Sequence, residues 1–173
     1  INGFGRFGIH FLKYWLDRNK SSNFSILFIN DEFLKPDQIL EILQNDKFCK
    51  FHKLKFILDR NILIINLPDG QKYEIKLLNK KIHSLSWLKK IQYLIECSGK
   101  YTERKFYRRI LKNKNIKILF SATSWDCDQT IVYGFNENKI LKRSRSISYG
   151  SCTVNAYVPL ANFINKKFLV QDS

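Results

Sequence analysis

The 173-residue sequence lacks any run of about 18 uncharged apolar residues, the minimum for a membrane-spanning helix, so no membrane association through a helix is expected. It opens Ile1-Asn2-Gly3-Phe4-Gly5, with no Met, no basic leader and no small-residue cleavage site, so no signal peptide is visible in these residues, and a preceding segment is left open. No Cys-x-x-Cys pair occurs among Cys49, Cys97, Cys127 and Cys152, and no His/Cys cluster has zinc spacing, so no metal site is expected. A disulfide framework is not expected in a chain of this size, whose 45% hydrophobic content is ample for a core. The cysteine usage therefore points to a reduced, cytoplasmic protein.

Acidic residues are also scarce: 15 Asp and Glu against 30 Lys and Arg leave a net charge of +15. Such an excess raises the question of nucleic acid or an anionic membrane surface. Lys greatly outnumbers Arg, however, and Lys, Asn, Ile and Phe are abundant together, as a coding sequence rich in A and T would produce. The cations are scattered, as in Lys13, Lys35, Lys53, Lys72, Lys89 and Lys112. A solvated basic surface is the expectation, and nucleic acid is not expected as a partner. There is no internal repeat, low-complexity tract or obvious linker.

What is present is an alternation of strand and helix patterns. Ile1 and Asn2 read as the tail of a strand, and Arg6 to Asn19 as a helix with Phe7, Phe11, Tyr14 and Trp15 at helical spacing. Ile26 to Ile29 follows as a buried strand. Pro36 to Leu43 is a second helix, with Pro in its first turn and Asp37 near its positive end. Lys55 to Leu58, Ile62 to Leu67 and Lys72 to Leu77 form an antiparallel meander, punctuated by Asp59-Arg60-Asn61 and Pro68-Asp69-Gly70. Alternation resumes with strand Tyr93 to Glu96, helix Thr102 to Leu111 and strand Ile116 to Phe120. Further strands are predicted at Thr130 to Tyr133 and Ser144 to Ser148. A last helix begins near Cys152, with Val154, Tyr157, Val158, Ala161 and Ile164 on one face and Pro159 as a kink. The pattern predicts an α/β fold: a Rossmann-type, doubly wound, mainly parallel sheet with an antiparallel insertion, truncated at the first strand.

Gly3-Phe4-Gly5-Arg6-Phe7-Gly8 is a G-x-G-x-x-G pattern after a strand end and at the opening of a helix. Glycine permits a tight turn, close approach of backbone to a pyrophosphate, and close packing of helix on strand. The helix start then offers N–H groups and positive potential to phosphates. Asp31, 23 residues after Gly8 at the end of the second strand, is placed to accept from ribose hydroxyls and to repel a 2′-phosphate. That favours NAD over NADP, and Glu32 strengthens the bias.

The opening block resembles that of glyceraldehyde-3-phosphate dehydrogenases. Asn30-Asp31-Glu32-Phe33 is similar to the family's Asn-Asp-x-Phe segment, and Glu96-Cys97-Ser98-Gly99 to its Glu-Ser/Cys-Thr/Ser-Gly turn. Phe120-Ser121-Ala122 resembles its Ser-Ala segment. Ser151-Cys152-Thr153-Val154-Asn155 resembles its Ser-Cys-Thr-Thr-Asn signature. The blocks stand in the family's order along the whole chain. The resemblance implies NAD as cofactor, with Asn2, Gly3, Gly5, Arg6 and Phe7 by the pyrophosphate and Asp31 on the adenine ribose. It implies Lys80 at a position where an Arg commonly meets the adenine, Ser98 and Gly99 along the cofactor, and Ser121 near the nicotinamide. Cys152 would be the catalytic nucleophile, with Ser151 and Thr153 binding inorganic or substrate phosphate. Residues 1–150 would be the NAD-binding domain, and residues 151–173 the active-site helix and start of a catalytic domain. The partners implied are a phosphorylated aldehyde, inorganic phosphate and three further copies in a homo-tetramer.

A cysteine at a helix start gains thiolate character, which suits attack on an aldehyde. Cys49, Cys97 and Cys127 read as packing residues, and His10, His52 and His83 lack the context of a catalytic base. The family's base His would lie beyond Ser173, so residues 1–173 alone are expected to give no turnover. The near-absence of the first strand is expected to be destabilising. Departures from the family pattern are Ser148-Tyr149-Gly150 before the signature, Val154, Ala156, and the stretch Thr123 to Gln129. That stretch, with Val132-Tyr133-Gly134, has some similarity to erythrose-4-phosphate dehydrogenases, so the aldehyde stays open between the two. A diverged, non-catalytic homologue that binds NAD or RNA is the alternative from another class.

Overall fold

The computed structural model describes residues 1–18, 21–82 and 90–169. Asn19, His83 and Lys89, raised above, lie outside the described residues. The chain divides into two compact units, Ile1–Ile91 and Gln92–Ser173.

The first unit contains α1 (Arg6–Asp17), β1 (Phe28–Asn30), α2 (Pro36–Asn45), β2 (Lys55–Asp59), β3 (Ile62–Asn66) and β4 (Lys72–Leu78). Its sheet runs β1-β4-β3-β2. β1 lies parallel to β4, whereas β4 with β3 and β3 with β2 are antiparallel. The opening residues extend this sheet beside β1 through a parallel bridge, Asn2 to Asn30. The Ile1 amine donates to Phe28 O at 2.9 Å, and Asn30 N donates to Ile1 O at 2.9 Å.

Residue pattern explains these elements. In α1, Ile9, Leu12, Trp15 and Leu16 recur on one helical face and are buried. Trp15 meets Tyr73 of β4 edge to face at 4.9 Å and donates its indole N–H to Phe24 O at 3.0 Å. In β3, buried Leu63 and Ile65 alternate with more open Ile62 and Ile64, the period-2 signature of a half-covered strand. α2 starts where Gln38 Oε1 reaches back to Lys35 N at 2.9 Å, with Pro36 in the first turn. The β3–β4 turn closes on Gly70, whose φ of 84° needs glycine.

The second unit contains β5 (Tyr93–Glu96), β6 (Lys117–Phe120), β7 (Gln129–Thr130), β8 (Ser146–Ser148) and α3 (Cys152–Phe168). Its sheet, β5-β6-β8-β7, is parallel throughout. Leu94, Ile118, Phe120 and Ile147 are its buried apolar strand residues, with Tyr107 set edge to face on Phe120 at 5.3 Å. The α/β reading, the mainly parallel sheet and the antiparallel insertion all match the sequence expectation.

Two local expectations are corrected. Residues 102–111 do not form an α-helix; they make short 3-10 turns, Arg104–Tyr107 and Ile110–Lys112. Arg104 with Arg108 and Lys105 with Arg109 place like charges four residues apart, which disfavours an α-helix. Arg104 N also donates to both Asp126 carboxylate oxygens at 2.9 Å, and its guanidinium pairs with Asp128 at 3.0 Å. The strand foreseen at 130–133 stops at Thr130, because the Asn136 side chain takes the Val132 N–H at 2.7 Å and the backbone turns at Gly134, φ 80°. The last helix, α3, contains Pro159 as expected, and no residue along it is buried: Val154, Val158 and Ala161 are half-buried, while Tyr157 is 58% exposed. Among the described residues, no helix is long and apolar enough to cross a membrane.

Candidate functional site

In the first unit the chain leaves its opening strand stub, turns at Gly3 and enters α1. Gly3 has φ 89°, and its N–H donates to Asn30 O at 2.8 Å. A Cβ on Gly8 would lie 2.4 Å from the Gly3 carbonyl oxygen, a backbone clash, so helix and turn meet there only through glycine. Gly5, the residue capping α1, is different: a Cβ would meet nothing within 4 Å. The helix has no acidic residue of its own in its first turn, which leaves its positive end available to an anion. Open backbone at a helix start is what a pyrophosphate requires.

The acid is built into the same turn. Asp31 Oδ2 accepts from Phe4 N at 2.8 Å, while Oδ1 accepts from Phe33 N at 2.9 Å and Leu34 N at 3.0 Å. A carboxylate has about four acceptor positions, so with three filled about one remains for a hydroxyl donor. Asn2 Oδ1 accepts from Asn30 Nδ2 at 2.7 Å, and that nitrogen also donates to Lys80 O at 2.9 Å. Lys80 N returns a bond to Asn30 Oδ1 at 3.1 Å. Asn2, Gly3, Gly5, Arg6, Asp31 and Lys80 are thus brought together, with Phe7 half exposed on the first turn of the helix.

Arg6 is engaged differently from the simplest phosphate-ligand picture. Its guanidinium forms a two-point pair with Asp46, NH1 to Oδ1 at 3.1 Å and NH2 to Oδ2, and lies 5.6 Å over the Phe48 ring. The Arg6 hydrogen bond, aided by the Cys49 backbone N–H, holds the Asp46 carboxyl well below the usual carboxylate range. Arg6 therefore offers an anion its place at the helix start more than its side-chain charge. Asn79 was missed from sequence, yet its Nδ2 lies 2.9 to 3.1 Å from the carbonyls of Asp31, Glu32 and Leu34, holding the acidic loop. An Asn after a strand carries no signal that distinguishes it from a turn residue.

In the second unit, Ser98 and Gly99 follow β5. Ser98 N donates to Glu96 Oε1 at 2.7 Å, and Ser98 Oγ donates to the same oxygen. Glu96 is 1% exposed and also accepts from Tyr107 Oη at 2.7 Å. Gly99, at φ 66°, has open space where a Cβ would be. Ser121 N donates to Glu96 O at 2.9 Å, so Ser98, Gly99 and Ser121 share one edge of the parallel sheet. The next strand end adjoins it: Tyr149 N donates to Phe120 O at 3.0 Å. Three residues on, Cys152 is the first residue of α3 and is exposed. Ser151 caps the helix, its Oγ accepting from Val154 N at 3.1 Å, and Thr153 is exposed in the first turn. The other cysteines differ. Burial pushes the Cys97 thiol up to about 12 and also raises Cys49, and Cys127 Sγ lies 3.1 Å from Ser124 O and 3.2 Å from Gln129 O. Among the described residues, no group of three or more His, Cys, Asp or Glu could hold a metal.

Comparison of the sequence with known families finds a match. The family model "Glyceraldehyde 3-phosphate dehydrogenase, NAD binding domain" matches residues 1–104. The chain belongs to the glyceraldehyde-3-phosphate dehydrogenase family. Among similar proteins, the glyceraldehyde-3-phosphate dehydrogenase of Lactobacillus delbrueckii subsp. bulgaricus is 28% identical over 99% of this chain and 50% of its own length. That of Debaryomyces hansenii is 31% identical over 99% of this chain and 49% of its own. That of Priestia megaterium is 31% identical over 97% and 48%. The chain spans about half the length of these curated relatives.

For a member of this family the dinucleotide is NAD, and the first unit fits it. The space beside Gly5, the acid-free start of α1 and the Asp31 carboxylate are what a pyrophosphate and a ribose diol need.

Proposed function

We propose that this chain supplies the dinucleotide cradle and the nucleophile of an NAD-dependent, phosphorylating oxidation of glyceraldehyde 3-phosphate to 1,3-bisphosphoglycerate. The observation that carries the reading is Cys152, exposed at the first position of a capped helix within Ser151-Cys152-Thr153-Val154-Asn155. In this reading residues 1–150 form the NAD-binding domain and 151–173 open the catalytic part. The backbone of Asn2, Gly3, Gly5, Arg6 and Phe7 meets the pyrophosphate, Asp31 the adenine ribose, and Lys80 the adenine side. Ser98, Gly99 and Ser121 line the cofactor.

The chemistry follows from the sulfur. A helix start favours an anionic sulfur, and that sulfur adds to the aldehyde carbon, forming a C–S bond and, after protonation of the oxygen, a thiohemiacetal. Bound NAD supplies the acceptor for a hydride. Loss of hydride and of the hydroxyl proton leaves a thioester on Cys152. Phosphate oxygen, held by Ser151 and Thr153, then attacks the carbonyl carbon; the C–S bond breaks, the acyl phosphate leaves and the thiolate is restored. The relatives' names support this substrate, and the working protein is read as a homo-tetramer in the cytoplasm.

The test is NADH formation by the protein at its natural length. Activity should require both glyceraldehyde 3-phosphate and inorganic phosphate, and Cys152→Ser should lower kcat by at least ~10³-fold. Turnover by the Ser variant, or phosphate-independent turnover, would refute the reading. A second aldehyde is favoured by one feature, the divergent loop of residues 123–129 with Trp125 96% exposed. Erythrose 4-phosphate with a higher kcat/KM than glyceraldehyde 3-phosphate would select it.

A further inference from the structure

The backbone just before Cys152 is under polar control from two sides. Ser148 Oγ accepts from Gly150 N at 3.0 Å and donates to Ala122 O at 2.8 Å, tying the turn to the end of β8. From the helix side, Asn155 Nδ2 donates to Tyr149 O at 2.6 Å and to Ser151 O at 2.8 Å. Both amide hydrogens of Asn155 are thereby used. The peptide between Tyr149 and Gly150 is held at each end, its carbonyl by Asn155 and its N–H by Ser148.

That peptide needs holding. Gly150 has φ 71°, where glycine rotates with little steric resistance. Its neighbours are close on one side: a Cβ there would lie 3.3 Å from Val154 Cγ1 and 3.6 Å from Thr130 Cγ2. Asn155 is itself exposed, so its carboxamide contributes no buried packing. The carbonyls it binds belong to the residue before Cys152 and the one three before it. Unbound, their negative ends oppose an anionic sulfur; bound to N–H groups, they do so less, and the first-turn amides of α3 keep their direction.

We propose that Asn155 is a positioning residue for Cys152. Its carboxamide fixes the Tyr149–Ser151 turn so that the start of α3 favours the reactive, anionic sulfur. The proposal rests on the reading of Cys152 as nucleophile.

Iodoacetamide alkylation of the protein at its natural length, followed at Cys152 by peptide mapping across a pH series, tests it. Asn155→Ala should slow labelling near neutral pH on the order of 3- to 10-fold and move the inflection of the profile to higher pH, with the melting temperature nearly unchanged. Asn155→Asp should slow it further, because a carboxylate faces the same carbonyls and adds a negative charge. If either variant is recovered unfolded, Asn155→Gln, which keeps an amide donor at longer reach, decides by the same profile. Folded variants with the unsubstituted protein's profile overturn the proposal while leaving the nucleophile reading intact. If the unsubstituted Cys152 reacts no faster than a short peptide thiol, the nucleophile reading falls and this proposal with it.

Discussion

The two helices that open on the candidate site residues, α1 and α3, differ in how much of each is buried. α1 buries Ile9, Leu12, Trp15 and Leu16, and Gly8 packs directly against the Gly3 carbonyl behind its start. α3 buries no residue, and its start is fixed by the side chains of Ser148, Ser151 and Asn155. A phosphate-binding turn works through fixed amides, so rigid packing behind it suffices. A nucleophile works through the electrostatics at one atom, so the groups that matter are the few polar ones around its turn. Damage to α1 should therefore appear first as lost stability, and damage at the start of α3 as lost reactivity.

The largest expected effect is at Gly8. Gly8→Ala drives a Cβ into the Gly3 carbonyl, and denaturant unfolding should show a loss of about 3 kcal/mol or more, with NAD binding abolished. Gly5→Ala, with open space around it, should leave stability within about 0.5 kcal/mol while weakening NAD in a titration. Equal destabilisation by both would break the distinction between a packing glycine and a ligand glycine. Leu12→Ala, at a fully buried position in α1, should cost about 2–5 kcal/mol. Leu160→Ala, at a position 56% exposed on α3, should stay within about 0.5 kcal/mol. Asp31→Asn should weaken NAD roughly 10- to 100-fold by calorimetry and raise the affinity for NADP relative to NAD.

The smallest effect concerns acid. Asp46 is held below the ordinary carboxylate range by Arg6, so its contribution is fully present at neutral pH and is lost as pH falls below that range. The Arg6 side chain that the carboxylate receives is 58% exposed, and solvent screening on that side should keep the change modest. Asp46→Asn should flatten the acid limb of a melting-temperature profile and leave the alkaline limb alone. An unaltered acid limb would remove the pair from the account.

Much of this was legible in the residues. The glycine turn, Asp31, the meander between Lys55 and Leu78, and the helix beginning at Cys152 are signalled by local pattern, because their causes are local: left-handed turns, period-2 burial and a Ser cap. Several of the misses have non-local causes. Residues 102–111 carry a helical pattern, but the Arg104 amide and guanidinium are claimed by carboxylates 22 and 24 residues away. Asn79 serves a loop 45 to 48 residues earlier, and Asp46 a helix start 40 residues earlier, distances over which periodicity carries no information. Asn155 stood in view within the signature motif, yet its two carbonyl partners became visible only with the backbone in place.

The most direct test is to trap the acyl group. The protein at its natural length, given glyceraldehyde 3-phosphate and NAD without phosphate, should carry a 3-phosphoglyceroyl mass on the Cys152 peptide, and adding phosphate should discharge it. An unmodified Cys152 in protein that forms NADH, or the mass on Cys97 or Cys127 instead, would contradict the account.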